Sequence, residues 1–260
     1  MTAYYPESFI ELAERLADAA RPIAQRYFRT DVAIESKADA SPVTRADREI
    51  ESALRDILRD ACPDHAIVGE EMGGAPVHEG PVWILDPIDG TKAFATGIPV
   101  FGTLIGLAID GRFGLGIIDQ PISDERWLGA AGRGSTLNGA PARVSDCVTL
   151  SDARLFTTAP EYFSQEEAYA AFQRVREEVL FTRYGADCYA FGLLASGFVD
   201  LIVESELNLW DFAALVPIVE GAGGIITDWN GVALTTEAKG DVIAASSAPL
   251  HEAAMQLLHG

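Results

Sequence analysis

The segment Trp83-Ile84-Leu85-Asp86-Pro87-Ile88-Asp89-Gly90-Thr91 sets two carboxylates three residues apart at the end of an apolar run. Bare anions at the end of a buried strand need partners, because an unpaired charge is costly to bury. Pro87 disfavours a helical Asp86 and fixes its own φ, and Gly90 permits a tight turn, so both side chains and the Ile88 carbonyl can converge on one point. Three hard oxygens converging there suit Mg²⁺, which commonly keeps substrate phosphate in its shell. Gly90 and Thr91 then offer backbone N–H groups to a phosphate. The plainer alternative is a turn and nothing more, since Asp-Pro and Asp-Gly are everyday turn pairs. Two further acids shift the balance towards chemistry. Glu70 follows the apolar pair Ile67-Val68 in Gly69-Glu70-Glu71, and Asp211 follows Trp210 at the start of an apolar helical stretch, Phe212 to Glu220.

The elements that must position these groups are legible in outline. Apolar residues from Phe9 to Tyr27 recur at helical spacing, with Pro6 suited to the first turn and Pro22 a source of a kink. A second helix is expected to start at Thr44, with Asp47 three residues on, to turn Ile50, Ala53, Leu54, Ile57 and Leu58 inward and to end at Pro63. Strands are expected at Val82 to Leu85, Leu104 to Ile109 and Arg112 to Ile118, the last two joined by the hairpin pair Asp110-Gly111. Glu125 to Ala130 and the surroundings of Asn138-Gly139 extend an antiparallel meander. Beyond about residue 150 short strands alternate with helices: Arg154 to Thr158, Leu180 to Tyr184, Val199 to Val203, Ile225 to Thr227 and Val242 to Ala245, with helices such as Gln165 to Glu178. Gly221-Ala222-Gly223-Gly224 reads as a helix C-terminal cap rather than a nucleotide-binding turn.

The chain has 260 residues, 48% hydrophobic and 22% charged, which suits one folded α/β (α+β) domain over 1–260 made of two packed halves, roughly 1–148 and 149–260. Its 39 Asp and Glu against 19 Lys and Arg give a net charge of -20, which repels nucleic acid and anionic membranes. No stretch reaches the ~20 predominantly apolar residues of a membrane span. The acidic N-terminus lacks a secretory pattern. Cys62, Cys147 and Cys188 are odd in number and at no metal-like spacing, which points to a reducing, cytoplasmic location.

Gly69-Glu70-Glu71, Asp86-Pro87-Ile88-Asp89-Gly90-Thr91 and Trp210-Asp211 with its following glycines resemble, in order and spacing, the motifs of the inositol monophosphatase family, and Lys37, Thr44 and Asp47 match its N-terminal segment. The resemblance implies a layered αβαβα sandwich, a homodimer, and hydrolysis of a small phosphate monoester with two or three Mg²⁺ per active site. Carried over, Glu70, Asp86 and the Ile88 carbonyl would hold one metal, and Asp86, Asp89 and Asp211 a second. Thr91, oriented by Asp47, would join Glu70 in positioning the attacking water. Asp89, Gly90, Thr91 and Asp211 would also meet the substrate. Two such cations activate water on one side and stabilise the leaving oxygen on the other.

Other phosphate chemistries lack their signatures. Aspartyl-phosphate enzymes want their two aspartates two apart, no lysine stands in a P-loop, and Cys188 has no arginine five residues on. The four histidines show no zinc spacing. A non-catalytic metal-binding or phosphoinositide-binding homologue is the alternative class, and it would be expected to lack an acidic ligand. For the substrate, Thr91-Lys92-Ala93-Phe94, Pro99 to Ile105 and Gly185-Ala186-Asp187-Cys188-Tyr189 resemble the histidinol-phosphatase branch of the family. Asp187 and Glu204 are two acids beyond the metal set that suit a cationic leaving group, so L-histidinol phosphate ranks before inositol 1-phosphate. Leu209-Trp210-Asp211 is closer to the general family form. Bisphosphate substrates rank lower, because no arginine cluster flanks the motifs.

Overall fold

The computed structural model describes residues 5–30, 35–36, 42–43, 45–74 and 79–260. Lys37, Thr44 and part of the 72–80 loop lie outside them. Helix α1 (Glu7–Tyr27) runs unbroken through Pro22 and buries Ile10, Ala13, Leu16, Ala17, Ala20 and Ala24, the apolar face its spacing predicts. A two-residue pair, β1 (Glu35–Ser36) with β2 (Pro42–Val43), precedes α2 (Arg45–Ala61). Asp47 sits in the first turn of α2, and Ile50, Leu54 and Leu58 are buried.

The meander follows: β3 (Ala66–Gly69), β4 (Pro81–Asp89), the single turn α3 (Thr91–Ala95), β5 (Gly102–Ile109), β6 (Arg112–Gln120), β7 (Glu125–Ala130), β8 (Gly134–Leu137) and β9 (Ala140–Pro141). These seven strands lie side by side in chain order, β3 and β4 parallel and the rest antiparallel. Asp110 and Gly111 have φ of 52° and 75°, and Asn138 and Gly139 have 50° and 78°, the positive values that tight two-residue hairpins require.

The second sheet is built from β10 (Arg154–Thr157), β11 (Phe181–Tyr184), β12 (Leu201–Glu204), β13 (Ile225–Asp228) and β14 (Val242–Ala245), in the order β11-β10-β12-β14-β13. Between them run α4 (Glu166–Glu178), α5 (Asp187–Ala195), α6 (Leu209–Phe212) and α7 (Leu215–Gly221), and α8 (Ala248–His259) closes the chain. Strand β10 is parallel to β11 and β12, while β14 is antiparallel to β12 and β13.

Alternation along β4 and β5 explains the layering. Trp83, Leu85, Ile105 and Leu107 face the core shared with α1 and α2, and Val82, Ile84, Leu104 and Ala108 face the core shared with α5 to α7. Helix α7 packs on β6 to β8 of one sheet and on β13 of the other, and α4 and α8 cover the far face of the second sheet with Phe172, Val175, Leu250 and Ala254. The architecture is the αβαβα sandwich, with mixed sheets.

Two expectations need correction. Strand β4 does not stop before the carboxylates but carries them, to Asp89. The stretch Phe212 to Glu220 is not one helix: regular helix is interrupted at Ala213 and Ala214, whose backbones stay right-handed, and Asp211 lies inside α6. The interruption lies against a stripe of glycines. Gly106, Gly116 and Gly129 stand opposite one another on β5, β6 and β7, and the backbone of residues 213–218 lies directly on them. A Cβ on Gly116 would stand 2.0 Å from the Ala214 carbonyl oxygen, and one on Gly129 2.3 Å from that of Pro217. Glycine there admits a backbone, not a turn.

Candidate active site

On a regular strand, residues three apart point to opposite faces. Asp86 pairs with Leu104 and Asp89 with Gly102, so three steps on β4 match two on β5 and the extra residue makes a bulge. Pro87, which has no N–H for the ladder, sits inside it, and Thr103 Oγ1 donates to the freed Pro87 carbonyl at 2.7 Å. The bulge brings both carboxylates to one side. Gly90, at φ 84°, turns the chain into α3, and a Cβ there would lie 3.2 Å from Asp187 Oδ2. Thr91 Oγ1 donates to the Ile88 carbonyl at 3.1 Å, so the structure shows that hydroxyl held by Ile88, the carbonyl the sequence singled out. Asp47, expected to orient Thr91, is buried at 1% exposure and adds to the negative field on Asp86.

Asp211 arrives from the other half of the chain. Asn208 caps α6, and Asp211 Oδ2 accepts the Asn208 N–H at 2.6 Å in a reciprocal capping box. Carboxylate oxygens of Asp86, Asp89 and Asp211 lie within 4.8 Å of one another, among residues separated by more than 120 positions. Glu70 stands at the same cavity and repels both Asp86 and Asp211. The cavity holds about 690 Å³.

The electrostatics are those of buried acids that repel one another. Burial, then Glu70, Asp89 and Asp211, holds the Asp86 carboxyl well above the usual range. Burial, then Asp187 and Asp211, does the same to Asp89 against the Cys188 N–H that Asp89 Oδ2 accepts at 2.6 Å. Asp211 is pushed up to about 7 by burial, with the Asn208 hydrogen bond working against it. Asp86 Oδ1 is buried with no hydrogen-bond donor among the described residues. A donor set of hard oxygens, one orphaned, with mutual repulsion throughout, fits a divalent cation.

The two acids expected beyond this set part company. Asp187 opens α5 at φ 46°, does not cap it, lines the cavity, and is raised to about 6 by burial against the pull of Lys92. Glu204 does not line the cavity. Its carboxyl is 1% exposed and accepts the Thr158 N–H, the Thr158 hydroxyl and the Thr157 hydroxyl at 2.7, 3.0 and 3.1 Å, so its acceptors are engaged within the sheet. Burial pushes Glu204 up to about 8. Its folded value exceeds the unfolded one, so the native state holds a proton that the unfolded chain releases, and stability falls as pH rises from about 5 to 8. Glu204→Gln is expected to flatten the melting temperature against pH over that window; an unchanged slope would show that Glu204 is charged throughout.

Two cations to which the sequence assigns no role also reach the cavity. Arg48 stands 3.7 Å from the Glu71 carboxylate, and Lys92 Nζ donates to the Tyr162 hydroxyl at 2.7 Å. Both supply positive charge, though one arginine and one lysine do not make the arginine cluster that a bisphosphate would want. No local pattern in the sequence signals Arg48, which lies beyond Asp47 on α2. Cys188 packs in the core, and the cysteines are free.

A five-layer sandwich with three convergent carboxylates at a large cavity is the arrangement that a metal-dependent phosphatase needs. The sequence model of the inositol monophosphatase family matches residues 6–260, and the chain belongs to that family. It is 49% identical to a bifunctional phosphatase, IMPL2, of Arabidopsis thaliana chloroplasts, over 97% of this chain and 75% of that protein. It is 38% identical to a histidinol-phosphatase of Mycobacterium tuberculosis, over 85% of this chain and 88% of the other. An inositol monophosphatase of Zymomonas mobilis has the same fold, with a TM-score of 0.90 and 45% identity over 99% of this chain and all of that one. No helix among the described residues is long and apolar enough to cross a membrane.

Proposed function

We propose that the protein hydrolyses L-histidinol phosphate to L-histidinol and phosphate, with Mg²⁺ held by Glu70, Asp86, the Ile88 carbonyl, Asp89 and Asp211. The observation that carries the substrate is Asp187, an acid set into the cavity wall against Gly90 and outside the three convergent carboxylates. A leaving group that bears an ammonium and an imidazole gains from that acid, and a neutral polyol gains less. The activity named for the Mycobacterium tuberculosis relative supports the same choice. Bound Mg²⁺ supplies charge to offset the phosphate and lowers the pKa of a water.

The remaining work belongs to the chain. Thr91 and Glu70 position the water for in-line attack, Thr91 through a hydroxyl already oriented by Ile88. Gly90 and Thr91 offer backbone N–H groups to the phosphate, and the absent side chain of Gly90 leaves room for Asp187. Lys92 and Arg48 soften the field of the acids for an incoming dianion. We further infer a homodimer in a reducing cytoplasm, in keeping with three free cysteines.

The test is kcat/KM for L-histidinol phosphate against inositol 1-phosphate at saturating Mg²⁺. The ratio is expected well above one, and Asp187→Asn is expected to lower it by about tenfold through loss of a charge-assisted contact. A ratio below one favours the second reading, an inositol phosphatase, which the Zymomonas mobilis structure supports. EDTA is expected to abolish phosphate release and Mg²⁺ to restore it. Full turnover in a verified metal-free preparation defeats the metal assignment, and no release of phosphate from either ester with Mg²⁺ marks a non-catalytic binding protein.

A further inference from the structure

Helix α2 buries an acid where its packing calls for an apolar residue. Glu51 lies between Ile50 and Leu54, has 0% exposure, and pairs with Arg55 one turn on, Nε to Oε1 at 2.7 Å. A buried ion pair is poor value for stability alone, since apolar residues of similar volume serve as well or better. What the pair touches gives it another use.

Glu51 Oε2 accepts the Glu71 N–H at 2.7 Å and Oε1 accepts the Met72 N–H at 3.2 Å, while the Arg55 guanidinium donates to the Gly73 carbonyl. Three consecutive residues after Glu70 are thus gripped by one carboxylate and one guanidinium. On the other side, the Glu70 N–H donates to the Leu85 carbonyl at 3.2 Å, beside Asp86, and Gly69 and Gly73 exchange both backbone bonds at 3.1 and 3.0 Å. Gly69 is glycine because the clamp fills its side-chain space: a Cβ there would stand 2.1 Å from Glu51 Oε1. The pair is neutral overall, so it holds the turn without adding a net charge to the acids of the cavity.

We propose that Glu51 and Arg55 are positioning residues, which clamp the backbone of the 69–73 turn so that the Glu70 carboxylate is held at the cavity with Asp86. This rests on the reading of Glu70 as a metal ligand. Without the clamp the turn keeps its Gly69–Gly73 closure, the bond to Leu85 and the Arg48–Glu71 ion pair, and more of the ordering of Glu70 falls to metal binding, at a cost in affinity.

Glu51→Asp withdraws the acceptors by one methylene while keeping the charge beside Arg55. Mn²⁺ binding to metal-free protein, followed by electron paramagnetic resonance, is measured for the wild type, Glu51→Asp, Glu70→Gln and the double variant. The single Glu51 change is expected to weaken binding roughly tenfold or more, as loss of groups that orient ligands does. It should also speed hydrogen exchange at the Glu71 and Met72 amides. In the Glu70→Gln background it should cost nothing further, because a residue acting through Glu70 has nothing left to position. An equal loss in both backgrounds, or no loss in either, overturns the proposal. Wild-type binding by Glu70→Gln removes Glu70 from the metal set, a failure distinguishable from that of the clamp alone, in which Glu70→Gln binds weakly and Glu51→Asp binds normally. If Glu51→Asp does not fold, Arg55→Lys releases the Gly73 carbonyl while keeping the charge, and the same non-additive loss, about threefold, is required of it.

Discussion

Asp86→Asn is expected to lower turnover on the order of a thousandfold or more while raising the melting temperature of the metal-free protein. The two effects share a cause. Asp86 is 1% exposed, one of its oxygens has no donor, and Glu70, Asp89, Asp211 and Asp47 all repel it. In the metal-free protein that carboxylate is a burden, relieved only by taking up a proton at a pH where free aspartate would have lost it. Asparagine has nearly the same shape, no charge to bury, and an amide N–H to offer a neighbouring carboxylate. With metal, the account reverses, because the group that bridges the two sets of proposed ligands has lost its anionic oxygen. Thermal melts with and without Mg²⁺ read both halves. Wild type should gain stability from Mg²⁺ and the variant should gain little. A variant with turnover within tenfold of wild type removes Asp86 from the reaction, and a variant that melts earlier without metal shows that the carboxylate is not under repulsive load. Stability sacrificed at an active site is a common trade.

Gly116→Ala is expected to cost roughly 5–10 °C in melting temperature, from an overpacking penalty of about 1–3 kcal/mol or somewhat more and the shift per kcal/mol typical of a chain this size. The added methyl would overlap the Ala214 carbonyl oxygen at 2.0 Å and its carbon at 2.8 Å. Those are backbone atoms and cannot turn aside as a flexible side chain does. Relief requires lifting the α6–α7 junction off the sheet, and Gly106 and Gly129 on either side hold the same backbone close. Asp211 lies three residues before Ala214, in α6, so turnover should fall as well, by about a hundredfold if Asp211 moves by 1 Å. An alanine variant that melts within 2 °C of wild type would show that the sheet yields instead, and that the stripe does not set the height of α6.

Much of this is written locally. Asp110-Gly111 and Asn138-Gly139 specify their hairpins because two positive φ values in succession select such residues. Pro87 between the two aspartates marks the break in the ladder for want of an N–H. The apolar faces of α1 and α2 follow from spacing alone. The glycine stripe was not legible, since Gly106, Gly116 and Gly129 are aligned only by strand pairing, and each by itself reads as a weak strand residue. The single helix expected over Phe212 to Glu220 failed for the same reason: periodicity does not see the sheet against which Ala213 and Ala214 are laid. Glu204 and Asp187 looked alike as acids outside the metal motifs, and neighbours distant in sequence separated them. Thr157 and Thr158 engage the one within the sheet, while Gly90 leaves the other at the cavity wall.

The residue types alone determined which chemistry is available, a set of hard oxygens with turn residues that free them from regular structure, because ligand identity and backbone freedom are properties of a residue and its immediate neighbours. Tertiary structure decided which of the 39 acids share a site. Bringing Asp211 to Asp86 depends on a bulge and a close approach of backbone to sheet, and setting Glu70 at the cavity depends on contacts from α2. Such convergence is a sum of long-range packing constraints, and no window of sequence contains it.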